Sequence, residues 1–439
     1  MCYKSMGDLI RNPYVQYMYS YPHKTAYRSL SGVSFKEYAS CLAGSGHGLY
    51  LHIPFCEAKC GYCNLFSVTG QGEEAVDRYL DTAERQCGQY QAVLYPYHSE
   101  FSSLTIGGGT PLYLTENQIE RMFGMFFHFF TFSNGADMVI ETAPNQTDSR
   151  KIAVLKQAGV TRVSMGIQSF QDSELAALGR RHTAKKAREA LGQLKEAGFS
   201  CMNVDFIYGI PGQTVESLLD SLKEGLSYQP DEIFLYPLYV KHGVGLERLG
   251  IAVDAQAAFL QYKEASQFLR NEGFHQDSMR RFVRREEERR FDECGFGDSL
   301  ALGCGGRSYL GNLHFCSPYA VERAQCMAHL EEYERTEDFT EITHGILLSK
   351  EEMKRRFVIR HLFLYPGLPL QQYEYQFQSS AFEDFPVIKN WYHQGWVETQ
   401  TISEQEYLSL TDDGLGLSDY LGPMLISEPV KKAMDEWEE

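Results

Sequence analysis

Short runs of apolar and β-branched residues alternate along the chain with longer stretches in which apolar side chains recur at helical spacing. The short runs fall at residues 49–53, 102–106, 138–141, 161–167, 202–208 and 232–236. Amphipathic stretches at 73–94, 116–130, 183–197, 214–226 and 255–271 lie between or after them. Alternation of this kind predicts repeated βα units around a parallel sheet, an α/β fold. Six such units make an open, partial (β/α)6 barrel of TIM-like build, whose chemistry gathers at the carboxyl ends of the strands.

The pattern weakens on both sides of this block, which bounds the barrel at residues 46–275. Residues 1–45 are polar and aromatic and contain SYPHKTAYRSL, read either as an ordered arm over a cleft or as a surface extension. Residues 276–344 read as a Gly- and Arg-rich connector that packs on the core through GCGGRSYLGN. From 345 to 439, a helix over EEMKRRFVIRHLFL, a second over FPVIKNWYHQGWVE and Gly-linked strands over LSLTDDGLGLSD predict a small winged-helix-like α+β unit.

At 439 residues the chain accommodates one large domain with smaller appendages. A net charge of -17 leaves no broad basic surface for phosphates. That excludes nucleic acid as a partner and gives the C-terminal unit a packing or lid role. Basic clusters at 280–285 and 289–290 are interrupted by Glu286, Glu287 and Glu288. They read first as a solvated segment and second as a site for an anionic substrate. The eleven cysteines are scattered, and the N-terminus shows no leader pattern, so a cytoplasmic, reducing location is expected. No apolar run is long enough to span a bilayer; the greasiest, at 122–132, is broken by Gly124 and His128.

Cys56, Cys60 and Cys63 in LHIPFCEAKCGYCN directly follow the first strand-like run. Thiolates are the soft ligands that hold iron–sulfur clusters. A cubane has four irons, so three cysteines leave one iron open, and an open position is where a metal does chemistry. The competing readings are a zinc knot or three buried thiols. Structural zinc takes four ligands, and no fourth Cys or His stands at finger-like spacing nearby. One βα unit later, Gly107-Gly108-Gly109-Thr110-Pro111 follows the second run, where backbone groups can approach a ligand without Cβ interference.

Together with RVSMGIQSF and VDFIYGIPGQT, these motifs resemble the radical S-adenosylmethionine (SAM) superfamily and, within it, the oxygen-independent coproporphyrinogen III oxidase-like branch. The resemblance covers residues 20–425 and extends to a bacterial subgroup with an N-terminal SYPHKTAYR segment. It implies a [4Fe-4S] cluster and SAM as cofactors, with SAM chelating the open iron and an electron through the cluster releasing a 5′-deoxyadenosyl radical. It further implies a small-molecule substrate and a reductase partner such as flavodoxin or ferredoxin.

Carried over position by position, Cys56, Cys60 and Cys63 bind the cluster, Tyr62 flanks the adenine and Tyr50 lies against SAM. Gly108, Gly109 and Thr110 hold the methionine end, and Glu141 accepts from the SAM ammonium or ribose. Gln168 and Arg180 match SAM contacts, the Arg suiting a carboxylate by its forked donors; Arg181 is adjacent, so the register can slip by one. Asp205 binds ribose, since an apolar run would make an unpartnered Asp costly. Tyr239 and Arg307 match further lining positions. Cys294, Cys304, Cys316 and Cys326 lack any C-x₂-C pair and read as ordinary buried cysteines; His52 reads as structural.

Three substrate readings compete. The first is hydrogen abstraction from a tetrapyrrole or another carboxylate-bearing molecule, supported faintly by the Tyr19-Ser20-Tyr21-Pro22 segment, although Asn64-Leu65 stand where true oxidases carry a further Cys. The second is haem delivery, demoted because the region 275–310 lacks an H-N-x-x-Y-W motif. The third is radical methylation or alkylation of a natural product.

Overall fold

The computed structural model describes residues 12–18, 20–284 and 296–438. Tyr19, Cys294 and the charged residues 285–290 therefore lie outside the described residues.

Six strands form the core: β1 (Ser45–Ile53), β2 (Glu100–Gly108), β3 (Thr131–Thr142), β4 (Arg162–Gln168), β5 (Cys201–Tyr208) and β6 (Glu232–Pro237). They pair side by side in chain order, every pair parallel. Helices Glu73–Leu94, Glu116–Phe129, Ala184–Ala197, Val215–Leu226 and Ala255–Asn271 occupy the predicted amphipathic stretches. Caps set their boundaries: Thr115 and Thr214 each form a capping box, and Gly198 ends its helix in the left-handed region. A helix not foreseen, Ser149–Gln157, joins β3 to β4 under the Asp148 cap. It buries only Ile152 and Leu155, too few apolar positions to show a period.

The connector does more than pack on the core. Its strand Ser299–Leu302 pairs in parallel with β1, and Arg307–Leu310, Leu313–Cys316, His344–Leu347 and Arg28–Ser29 continue the sheet outward from there. On the far side Arg281–Val283 and His275–Gln276 extend it beyond β6. The order of pairing among the described residues is thus open, as a partial barrel requires.

The C-terminal region has its own three-stranded sheet of Leu368–Pro369, Val397–Ile402 and Gln405–Leu410. Here the expectation of Gly-linked strands needs correction. The two longer strands are joined at Ser403 and Glu404, both with positive φ, while the glycines of LSLTDDGLGLSD lie in helix Asp412–Gly416. The Thr411 hydroxyl accepts the Gly414 N–H and starts that helix instead of a turn. A second apolar cluster gathers Ile359, Leu362, Trp391, Leu408 and Leu421 around Tyr21 and Ala26 of the N-terminal arm. The arm is therefore packed on this unit at its described residues 20–26. Among the described residues no helix is long and apolar enough to cross a membrane.

One buried ion pair joins the two regions. Arg280, beside the β6 edge, donates to Asp419 in helix Ser418–Leu421, with side-chain exposures of 7% and 0%. Tyr239 donates to the same carboxylate, and the Tyr17 ring lies 3.8 Å from the Arg280 guanidinium carbon. Asp419→Asn leaves Arg280 buried without its counter-charge and is expected to cost about 3 kcal/mol. Urea unfolding would read this loss, and an unchanged midpoint would deny the pair its bridging role.

Candidate active site

The carboxyl ends of β1 and β2 build the first wall. After Ile53 the chain turns through Pro54 into a two-residue strand, Phe55–Cys56, that pairs with Val68–Thr69. The glycine loop after β2 docks on this turn: Gly109 N–H donates to Ile53 O at 2.7 Å and Thr110 N–H to Phe55 O at 2.8 Å. A Cβ on Gly109 would sit 2.7 Å from Phe55 O and 2.9 Å from Cys56 Sγ, so only glycine allows the approach. The Thr110 hydroxyl then lies 3.6 Å from Cys56 Sγ.

Beyond Cys56 the chain makes a turn closed by Cys63 N–H to Cys60 O at 3.1 Å. Arg180 Nη1 donates to Cys60 Sγ at 3.2 Å, and its Nη2 donates to Gly166 O. Of the two adjacent arginines, Arg180 is the half-buried one that faces the cysteines; Arg181 is exposed. Burial pushes the Cys63 thiol up to about 12, with neighbouring Cys60 adding to it, and burial raises Cys56 as well. These sulfurs are protonated unless a cation displaces the protons.

A cavity of about 600 Å³ opens beside them, within the roughly 300–1,000 Å³ usual for small-molecule sites. β3 contributes Glu141, which accepts the Gly108 N–H at 3.0 Å and which burial pushes up to about 7. β4 contributes Gln168, held at φ +68° where the ladder to β5 shifts register. The shift turns its side chain into the cavity, the use bulges serve near active sites. β5 contributes Asp205, which accepts from Asn203 Nδ2 at 2.7 Å and which burial pushes up to about 6. Tyr239 follows β6, and Arg307 comes from the connector, its Nη1 donating to Ser20 Oγ of the arm at 2.6 Å. Tyr50, Tyr62 and Gly108 complete the predicted set, and every predicted site residue lines this one cavity.

Tyr17, His23, Lys24, Lys241 and Tyr309 line it too, and sequence reasoning did not assign them. Two of them sit in the SYPHK segment, whose single signal was an unusual composition without periodicity. His52 is buried as expected. Its Nε2 donates to Phe66 O at 2.9 Å, leaving Nδ1 to face the Tyr50 hydroxyl at 3.2 Å, and burial holds the ring down to about 4 and hence neutral. Cys304, Cys316 and Cys326 are free and buried, in line with the structural reading.

A sequence model described as the radical SAM superfamily matches residues 50–225, the span that holds the cysteine loop, the glycine loop, Gln168, Arg180 and Asp205. The chain carries a radical SAM domain. This radical SAM chain is 27% identical over 403 residues to the oxygen-independent coproporphyrinogen III oxidase of Escherichia coli, covering 85% of this chain and 86% of that one. It is 27% identical over 334 residues to the heme chaperone HemW of Haemophilus influenzae, covering 74% and 85%. The solved structure of coproporphyrinogen III oxidase (HemN) from Escherichia coli superposes with a TM-score of 0.79 at 24% identity, over 92% of this chain and 96% of that one. The fold is therefore shared over most of the chain.

The radical SAM superfamily uses a [4Fe-4S] cluster and SAM, and the residues of this radical SAM chain fit both. Among the described residues no three Cys, His, Asp or Glu side chains converge on a single point. A cubane meets each cysteine at a separate iron, and the three cysteines here are spaced along one loop. Nε of Arg180 is buried without a hydrogen-bond partner among the described residues. Two carboxyls, Glu141 and Asp205, open onto the same cavity.

Because Glu141 and Asp205 hold their protons more tightly in the fold than the ordinary carboxyl range near 4, the folded state binds more protons than the unfolded one between those limits. Their contribution to stability is present below pH 4 and lost as pH rises through about 6 and about 7. The cofactor-free protein should lose stability between about pH 4 and about pH 7, and Glu141→Gln should flatten that slope in chemical denaturation; equal slopes would contradict the tightened hold of Glu141 on its proton.

Proposed function

We propose that this chain cleaves SAM reductively and abstracts hydrogen from a carboxylate-bearing small molecule, with a tetrapyrrole the first class to test. Cys56, Cys60 and Cys63 hold the cluster, and the bound cofactor pair supplies a 5′-deoxyadenosyl radical. Gly108, Gly109 and Thr110 position the methionine end, and Arg180 faces its carboxylate. Glu141 accepts from the ammonium, Asp205 from the ribose, and Tyr50, Tyr62, Gln168, Tyr239 and Arg307 wall the cavity. A flavodoxin- or ferredoxin-class protein supplies the electron.

The observation that carries this reading is the meeting of three cysteine thiols, one buried and two half-buried, a guanidinium 3.2 Å from one of them and two proton-holding carboxyls in one cavity. A carboxylate-bearing substrate follows from Lys24, Lys241 and Arg307, cations that line the same space. The oxidase relative is named for coproporphyrinogen III.

A second reading is haem delivery. It rests on relatives named heme chaperone HemW, one of them from Bacillus subtilis at 28% identity over 271 residues. Turnover separates the two. Anaerobically reconstituted protein with a reductant should release 5′-deoxyadenosine, faster with the true substrate; tight haem binding without turnover would favour the chaperone. S-adenosylhomocysteine appearing alongside would instead indicate methyl transfer.

Cys60→Ala should abolish the brown cluster absorbance and SAM cleavage together, and a variant that still cleaves SAM would refute the ligand assignment. Asp205→Ala should weaken SAM binding about 10-fold with the cluster intact, the cost of removing a buried hydrogen-bonded charge; unchanged affinity in equilibrium dialysis would remove Asp205 from the site.

A further inference from the structure

Gly61, between the second and third cysteines, is gripped from two directions. Its N–H donates to Leu178 O at 2.9 Å, and its own carbonyl accepts the Leu246 N–H at 2.7 Å. Leu178 closes the turn that delivers Arg180, whereas Leu246 lies in the short helix Gly245–Arg248 that follows β6. The chains touch backbone to backbone. A Cβ on Gly61 would lie 2.9 Å from Leu246 Cδ2 and 3.2 Å from Leu178 O. One on Gly179 would lie 3.1 Å from Gly61 N, and one on Gly245 3.3 Å from Gly61 Cα.

Leu246 is itself fixed, 2% exposed, in a small apolar group with Leu178, Ile207, Ile210 and Leu238, against which Tyr62 packs. The loop is tied through side chains as well: Arg180 donates to Cys60 Sγ at 3.2 Å, Asn145 and Gln146 donate to Glu57, and Lys59 Nζ donates to Val321 O at 2.6 Å, beside the turn bond between Cys63 and Cys60. Three thiolates must reach three corners of one rigid inorganic body, so the loop between them has to be held within a fraction of an ångström. Gly61 is the point in that loop where main chain meets main chain from elsewhere in the fold.

We infer that Leu178 and Leu246 form a backbone clamp on Gly61 that fixes Cys60 and Cys63 for cluster assembly, and that Leu246, beyond the span 50–225 matched by the superfamily model, is a positioning residue of the cluster. The inference rests on the cluster reading above. Gly61 does not occupy the left-handed region, so an alanine there meets a steric obstacle and no backbone strain. That obstacle is mostly the Leu246 side chain.

The test is a rescue. Gly61→Ala should lower iron and sulfide incorporation during anaerobic reconstitution about 10-fold, the scale at which residues that orient metal ligands act. The unfolding midpoint of the cofactor-free variant should barely move. Adding Leu246→Ala makes room for the new methyl and should restore most of the iron, with the reduced-cluster EPR line shape returning to that of the unaltered protein. Normal loading of Gly61→Ala, or a double variant that folds and stays iron-poor, overturns the clamp. Should Leu246→Ala fail to fold, Gly245→Ala presses the same loop from the other side: partial iron loss supports the clamp and full loading overturns it. Cys60→Ala distinguishes the two levels. If it keeps its iron the cluster reading fails; if it loses iron while Gly61→Ala does not, only the clamp fails.

Discussion

Two main-chain hydrogen bonds, Gly109 N–H to Ile53 O and Thr110 N–H to Phe55 O, dock the glycine loop under the cysteine loop, and the rest of the site depends on them. They are possible because β1 and β2 are parallel neighbours in register through Ile53 and Gly108, so both strands end at the same height. A parallel sheet delivers successive carboxyl ends to one rim. Glu141, Gln168 and Asp205 arrive on that rim by the same rule, one per strand. No long-range loop closure is needed to gather them.

The rim and the interior beneath it differ in charge balance. Arg162 at the start of β4 and Glu232 at the start of β6 form an ion pair that Arg281 and Asp277 extend, at 2.5 Å from Arg281 to Glu232 and 2.7 Å from Arg281 to Asp277. That network answers charge with charge inside the fold. At the rim, by contrast, desolvation keeps Glu141 and Asp205 toward their neutral forms and Cys56 and Cys63 toward their thiol forms.

Much of this was legible in the sequence because period and punctuation agree. The six strands and five of the helices follow from the strand-like runs and amphipathic stretches, whereas the rim residues were assigned through the resemblance to the radical SAM superfamily. What stayed hidden has no local signature. Helix Ser149–Gln157 buries two apolar residues and shows no period. The arm reads as irregular chain because Tyr21 finds its partners, Glu352 and Ser427, hundreds of positions away. The choice between Arg180 and Arg181 turns on the direction of one side chain, set by the turn at Leu178 and Gly179. The glycines after residue 410 looked like linkers until the Thr411 cap made them helical.

The central claim is that three cysteines hold a cubane whose remaining iron is open to SAM. Mössbauer spectroscopy of anaerobically ⁵⁷Fe-reconstituted protein tests it most directly. The account predicts a [4Fe-4S] spectrum in which SAM shifts the parameters of one iron of the four and leaves the others unchanged. Protein that takes up zinc but no iron, or a cubane whose four irons respond alike, would contradict it.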